Sequence, residues 1–595
     1  MSLTWDQLRD LKCGELEGAA DSWGKASNRA DAGRDRIENQ LLNGLRTTQH
    51  GEAATAAVGR LRRMSRNLGY VYTECGLLRT TLNSMAHELR LQQRDVNHAL
   101  EDAEALGLDV HADGSVTYPA AGKALLDDAP LPGGTVTAGP AAPGIRAPSG
   151  LVGPNPMAAE AQGIADRVAK AVRTAAEIDW RYARILRELR AGEGVGVPDS
   201  AWQDAAGDAA AVRGAARGYL KDEIPRDASP AERRAWWAAL TDERREEYLA
   251  VYPNLIGNLD GIPSLVRDAA NRDNLQLLMG ELEGRDDTRS RTQLAALHEI
   301  DRQLQAGSKP GEPPMYLLGV SGEGNGRAIV SYGNPDISKN VSTYVPGLNT
   351  SLDEEFAKSD LKRARDTAIG ARMYDHSAAS IVWLGYDAPQ SPDGLDSLAV
   401  MGTERAERGG RALNDFMGGL SATNNEESRH FTAIGHSYGS RTVGAATQQG
   451  GGIPGVDDII LVGSPGVGVD RAEDLGVGRD HVFVGAAEHD VVTKLPSKQQ
   501  SVAGVMGTVA AGPVVGYLTG DLADQGDDDL WFGKDPASEG FGARRFPVGE
   551  GPRLIGGGFD AHSQYFDPER DASSANSIAL IVAGKPERVK VEEYR

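Results

Sequence analysis

The chain has 595 residues, 73 glycines, 2 cysteines and a formal net charge of −22. At roughly 100–200 residues per domain this length predicts several domains. The acidic balance argues against a nucleic-acid partner, which needs clustered Lys and Arg, and Cys13 and Cys75 are too few for a disulfide framework or a zinc site.

Residues 1–118 read as a long helical hairpin followed by a small β-hairpin. In the second arm Leu61, Met64, Leu68, Val71, Cys75, Leu78, Leu82, Met85 and Leu89 recur at three–four spacing, which puts them on one seam of one helix. Leu8, Leu11, Trp23, Ile37, Leu41 and Leu45 supply the facing stripe, and the turn falls at Gln49-His50-Gly51. Asp113-Gly114 marks the turn of the β-hairpin. Residues 119–155, rich in Gly, Pro and Ala, read as a linker. A second helical hairpin follows over 156–225, with Pro156 at its first helical position, and then a helical lead-in over 226–307. Met1 to Asp6 runs straight into charged helical sequence with no apolar signal-peptide core, so the expected location is cytoplasmic, or exported without a cleavable signal.

From 308 to 595 short apolar runs alternate with amphipathic stretches. The strand-like runs are Tyr316–Val320, Arg327–Tyr332, Val341–Val345, Ser380–Leu384, Phe431–Ile434, Asp458–Val462 and His481–Gly485, with helical patterns at 352–373, 397–420 and 440–449. Such alternation predicts a mostly parallel sheet with helices on both faces. Gly319 to Gly326 has the glycine content of a phosphate-cradling loop. Such a loop must open a helix, however, and Arg327 to Tyr332 reads as a strand, so the segment is expected to be a hairpin. The uncharged Ser501–Gly520 approaches a membrane-spanning length. Its Val, Ala and Gly content and Pro513 favour a candidate cap insertion over 501–540, and no stable membrane span is expected.

The segment Gly435-His436-Ser437-Tyr438-Gly439 lies between an apolar run and a small-residue helical stretch. This is a G-x-S-x-G pattern in a strand–turn–helix setting, a turn so tight that only small residues fit two before and two after the serine. A serine hydroxyl needs a base within hydrogen-bond reach and a third group to orient that base. On such an elbow they follow in the order serine, acid, histidine. Only His481, His489 and His562 come after Ser437. His481 begins a strand and His489 adjoins the best acid, which leaves His562 as the base. Asp490, just past the strand 481–485, is the expected acid, with Glu488 the near alternative; Asp457 and Asp458 lie at the wrong end of their strand. The oxyanion of acyl transfer needs two backbone donors. These are expected from Tyr438 and from the Val345-Pro346-Gly347 turn through Leu348, with Asn349 second. No cofactor or metal is called for. The substrate class is a small-molecule or lipid-like ester, or the related amide.

Several segments together resemble the α/β-hydrolase superfamily, and within it an actinobacterial family long catalogued as a domain of unknown function. They are Ile256 to Pro263, Arg267-Asp268, Asn271-Arg272, Val345-Pro346-Gly347, the Gly435–Gly439 elbow, Val462 to Gly466, Phe541 to Phe546 and His562 to Phe566. The resemblance spans about 230–595 and implies an α/β-hydrolase fold and a serine hydrolase with Ser437 as nucleophile and His562 as base. The amino-terminal hairpin resembles the WXG-type hairpins of type VII secretion systems through Trp23-Gly24 and the Tyr70 to Glu74 Y-x-x-x-E spacing, both placed mid-helix. That implies a protein partner for the hairpin. The competing reading is a catalytically idle hydrolase scaffold serving as an interaction module or secretion-associated effector.

Overall fold

The computed structural model describes residues 3–123, 129–139, 155–189, 197–309, 311–390, 402–495, 529–553 and 560–594. The chain forms two compact units, Met1–Ile224 with Glu246–Val251, and Pro225–Arg245 with Tyr252–Arg595.

The first unit is built on a helical hairpin. Helix α1 (Cys13–Arg36) continues through a π-helical stretch, Ile37–Leu42, and a short helix to the turn at Gly51, and returns as α2 (Glu52–Ala105). At 1.5 Å per residue the 54 residues of α2 extend about 80 Å. Gly51 adopts φ 99°, which lets the chain reverse. The contact face keeps the carboxyl-terminal part of the expected seam, where Cys75, Leu82, Met85 and Leu89 are buried, and departs from it nearer the turn. Met64 and Val71 are exposed, and α2 instead buries Ser65, Gly69, Tyr72 and Gly76. Small residues there let the backbones approach closely: Leu68 of the expected seam packs on Gly33, where a methyl would lie 3.1 Å from it, and the Ser27 hydroxyl donates to the Tyr72 carbonyl at 2.8 Å. Trp23 and Leu41 are likewise exposed rather than facing the seam. For Leu41 the cause is the π-helical turn, which shifts the helical phase so that Leu42 turns inward in its place. Helices α3 (Pro156–Glu188) and α4 (Asp199–Ala215) pack on α2, and Ile178 and Tyr182 share a core with Met85, Leu89 and Val96. The small β-hairpin forms as expected, Asp109–Val110 against Val116–Tyr118. Part of the expected linker adds a third strand: Gly134–Val136 pairs with Val116–Tyr118, where the lack of a side chain on Gly133 and Gly134 leaves room for Tyr118.

In the second unit, helices α5 (Ser264–Leu282) and α6 (Thr288–Ala306) precede an eight-stranded sheet. Its strands are β1 (Met315–Ser321), β2 (Arg327–Tyr332), β3 (Asn340–Val345), β4 (Ala378–Leu384), β5 (His430–His436), β6 (Val456–Val462), β7 (Val482–Gly485) and β8 (Arg544–Arg545). The spatial order is β8-β7-β6-β5-β3-β4-β2-β1. Only β2 runs antiparallel to its neighbours; β3 pairs parallel with β4 and β5, and parallel pairing continues through β6 and β7 to β8. This is an α/β-hydrolase domain with a mostly parallel sheet. Gly319 to Gly326 lies in the β1–β2 hairpin, as read from the sequence.

Alternate residues of the strands enter two cores, the period-2 pattern of a sheet covered on both faces. Phe431, Ile459, Leu461 and Val484 pack with α8 (Glu404–Thr423) and α9 (Tyr438–Thr447). Ile434, Ile460, Val462 and Phe483 pack on the other face with α7 (Leu361–Arg372) and α10 (Ala572–Val582). Because β3 to β7 run parallel, their carboxyl ends and following loops gather on one edge. β5 and β4 flank β3 on opposite sides there, the kind of switch point where α/β sheets form ligand crevices. Residues 501–528 of the expected cap lie outside the described residues, and its remainder includes a two-stranded ribbon, Asp529–Leu530 with Gly533–Lys534. Among the described residues no helix is long and apolar enough to cross a membrane.

Candidate active site

Ser437 stands between β5 and α9 with φ 55° and ψ −131°. It and Asn349 are the two non-glycine residues with positive φ among the described residues, and both border this site. Holding an L-residue there costs of order 1–3 kcal/mol, so the surroundings must over-determine it. They do so by close approach. A methyl on Gly439 would lie 2.1 Å from the Val345 carbonyl, and one on Gly435 would lie 2.6 Å from Ser440 Cα. The Ser437 N–H donates to Val462 O at 3.1 Å, and Ser440 N–H donates to Ser437 O at 3.0 Å.

The loop after β3 passes directly over the serine. A methyl on Gly347 would meet Ser437 Cβ at 2.6 Å and Tyr438 N at 2.9 Å. The turn is pinned by the Tyr386 hydroxyl, which donates to Pro346 O at 2.7 Å. Tyr438 opens α9, so its N–H has no intrahelical acceptor. Of the two expected partners on the loop, Asn349 spends its N–H on Pro389 O at 2.8 Å, which leaves Leu348.

Asp490, past β7, is fully buried and bonded to His562: Nδ1 of the imidazole lies 3.0 Å from Oδ1 and 2.9 Å from Oδ2. Two further donors complete the carboxylate, the Val492 N–H to Oδ1 at 2.9 Å and the Tyr565 hydroxyl to Oδ2 at 2.5 Å. Burial by itself pushes this carboxyl upward. The facing His562 and these hydrogen bonds outweigh it and hold the group down at about 2, so Asp490 is ionised at neutral pH. The glycine after β6, Gly463, lies against the pair, since a methyl there would come within 2.9 Å of both Asp490 Oδ2 and His562 Nδ1. His562 therefore sits over the loop beginning at Gly463, one residue beyond the carbonyl that binds the Ser437 amide.

The other candidates are engaged elsewhere. Glu488 faces solvent beside Lys494 at 3.1 Å. His489 Nδ1 meets Gly551 O at 2.6 Å. His481 and His430 both bond to the buried Asp458, at 2.7 and 2.8 Å, at the opposite end of the sheet. Among the described residues no group of three His, Cys, Asp or Glu side chains is arranged to hold a metal.

Residues 321–500, which include Ser437 and Asp490, match the alpha/beta hydrolase family. An uncharacterized protein of Mycobacterium tuberculosis, Rv0963c, is 36% identical over 245 residues, covering 38% of this chain and 88% of that protein. The chain belongs to the alpha/beta hydrolase family. The counterpart from Mycobacterium bovis, Mb0988c, matches to the same extent. A longer uncharacterized M. tuberculosis protein, Rv2079, is 30% identical over 379 residues, 59% of this chain and 55% of that protein. The chain thus spans about half the length of that relative. No solved structure matches the chain.

Three members of the site were not singled out for it from sequence: Tyr565, His436 and Gly463. Tyr565 follows His562 by three residues, a spacing that puts two side chains on one helical face, and the short helix Asp560–Ser563 begins that turn. Gly463 had a signal in its position directly after a strand, next to Ser464-Pro465-Gly466. His436 had none beyond its place in the elbow.

Proposed function

We propose that the chain is a serine hydrolase that cleaves an ester-like carbonyl, or the related amide, through an acyl-enzyme on Ser437. The observation that carries this reading is a serine at positive φ on a strand–helix turn, together with an imidazole that stacks on the adjoining His436 and whose Nδ1 is held by a buried, ionised carboxylate. With Nδ1 bonded to Asp490, Nε2 remains to act as base. Ser437 Oγ attacks the carbonyl carbon and gives its proton to His562 Nε2. The tetrahedral oxyanion is met by the N–H groups of Tyr438 and Leu348, and loss of one such donor costs about 3 kcal/mol. Collapse expels the alcohol, which takes the proton from His562. Water then attacks the acyl-enzyme, its proton passing to the same nitrogen and on to Ser437 Oγ. Asp490 keeps the tautomer and stabilises the imidazolium without itself taking the proton.

The family match and the mycobacterial relatives support the hydrolase scaffold. Hydrolysis of chromogenic esters of rising acyl length, with Ser437→Ala as the paired control, tests the reading. Turnover that disappears in Ser437→Ala is expected, and turnover that survives the substitution overturns it.

A further inference from the structure

The proposed chemistry leaves one elbow residue unused, His436. It is buried, and its ring stacks on the His562 imidazole at 4.5 Å between centroids and 28° between planes. Its Nε2–H donates to the main-chain carbonyl of His562 at 2.8 Å. Burial, then the neighbouring His562 and Arg363, hold its pKa well below that of an ordinary imidazole. The ring is therefore neutral, with its proton on Nε2. The groups that face it are His562, Asp490 and Arg363, with the rings of Tyr344, Tyr565 and Phe566 around them.

His562 needs such support. It sits in a four-residue helix, Asp560–Ser563, not on a strand or long helix of the scaffold. Asp490 grips the ring only at Nδ1. His436, by contrast, is the last residue of β5 and adjoins the nucleophile covalently. One neutral ring thus holds the base by both its backbone and its imidazole face. Its neutrality matters as well, because a cation stacked on His562 would oppose the imidazolium that forms in each half-reaction.

We propose that His436 is a positioning residue that ties His562 to the nucleophile strand and sets the geometry of proton transfer from Ser437. This inference rests on Ser437 and His562 being nucleophile and base. A displacement of about 1 Å in such a constellation costs up to ~100-fold in rate.

The test uses the full-length chain and a fluorophosphonate probe, comparing wild type, His436→Phe, His436→Asn and Ser437→Ala. Phenylalanine keeps a ring and removes the donor; asparagine keeps a donor and removes the stack. The expected result in both is a labelling rate constant at saturating probe reduced about 10- to 100-fold. The half-saturating probe concentration should stay within about twofold and the labelling endpoint should remain complete. A merely structural role would instead lower the endpoint and leave the rate per active site at the wild-type value, and that result overturns the proposal. Ser437-dependent labelling at the wild-type rate in both variants also overturns it while leaving the serine reading intact. Labelling that survives Ser437→Ala removes both.

Discussion

Alanine at position 463 is a sharp perturbation of the proposed site because it acts by wedge rather than by removing a group. A methyl on Gly463 would lie 2.8 Å from His562 Cε1 and 2.9 Å from both His562 Nδ1 and Asp490 Oδ2. Non-bonded carbon contacts relax near 3.5–4.0 Å, so the imidazole and carboxylate must retreat by about 0.7 Å or more. A misplacement of that order is expected to lower the acylation rate roughly 10- to 100-fold, or about 1.4–2.7 kcal/mol of barrier. The substitution also forces an L-residue to φ 56°, which costs about 1–2 kcal/mol of stability whatever the space. Gly476→Ala separates the two effects. Gly476 has φ 81° and no atom within 4 Å of a built methyl, so it carries the backbone strain without the wedge. Ester hydrolysis and thermal unfolding of both variants should show similar losses of stability and a loss of rate confined to Gly463→Ala. Wild-type turnover in Gly463→Ala, or equal slowing in Gly476→Ala, would mean that Gly463 does not hold the His562–Asp490 pair in place.

Two further outcomes follow from buried carboxyls. The Asp490 carboxyl is held at about 2 against an ordinary 3.8, so its ionisation stabilises the fold fully above pH 4 and the benefit is lost as pH falls through 2. The stability gap between wild type and Asp490→Asn should shrink by about 2 kcal/mol between pH 4 and pH 2 in denaturant titrations, and a gap that does not change with pH would contradict the assignment. In the helical unit Glu74 is pushed the other way, to about 8, by burial and then by Asp208 and Asp204. Its native state keeps a proton that the unfolded chain has released, so this group's contribution to stability declines from pH 4.5 towards 8. Glu74→Gln should slow hydrogen exchange in peptides from α2 about tenfold or more at pH 8.5 and leave it near wild type at pH 4.5; equal exchange at both values would argue against a buried, protonated Glu74.

Much of this architecture was legible because short-range chemistry determines it. The alternation of apolar strands with amphipathic helices announced the sheet, and the strand–turn–helix setting of Gly435 to Gly439 announced the tight turn, since a methyl on Gly439 would lie only 2.1 Å from Val345 O. Chain order after the serine led to Asp490 and His562, which the fold brings into hydrogen-bond contact although 72 residues separate them. Other features depend on loops meeting in space. Gly463 closes on Asp490 from the end of β6 and Tyr565 from the turn after Asp560–Ser563, and His436 meets His562 only because that short helix lies over β5. The two-residue β8 is too short to leave a periodic pattern. On α2 the apolar periodicity located Cys75, Leu82, Met85 and Leu89 on the buried face but also pointed to Met64 and Val71, because nearer the turn the face is set by how closely glycine and serine let two backbones approach, which hydrophobicity does not encode.

The most direct test of the central claim is the mass and location of a fluorophosphonate adduct on the intact chain after proteolysis. One phosphonyl group is expected, on Ser437, absent from Ser437→Ala and formed far more slowly in His562→Ala. An adduct on another residue, or labelling undiminished by Ser437→Ala, would contradict that claim.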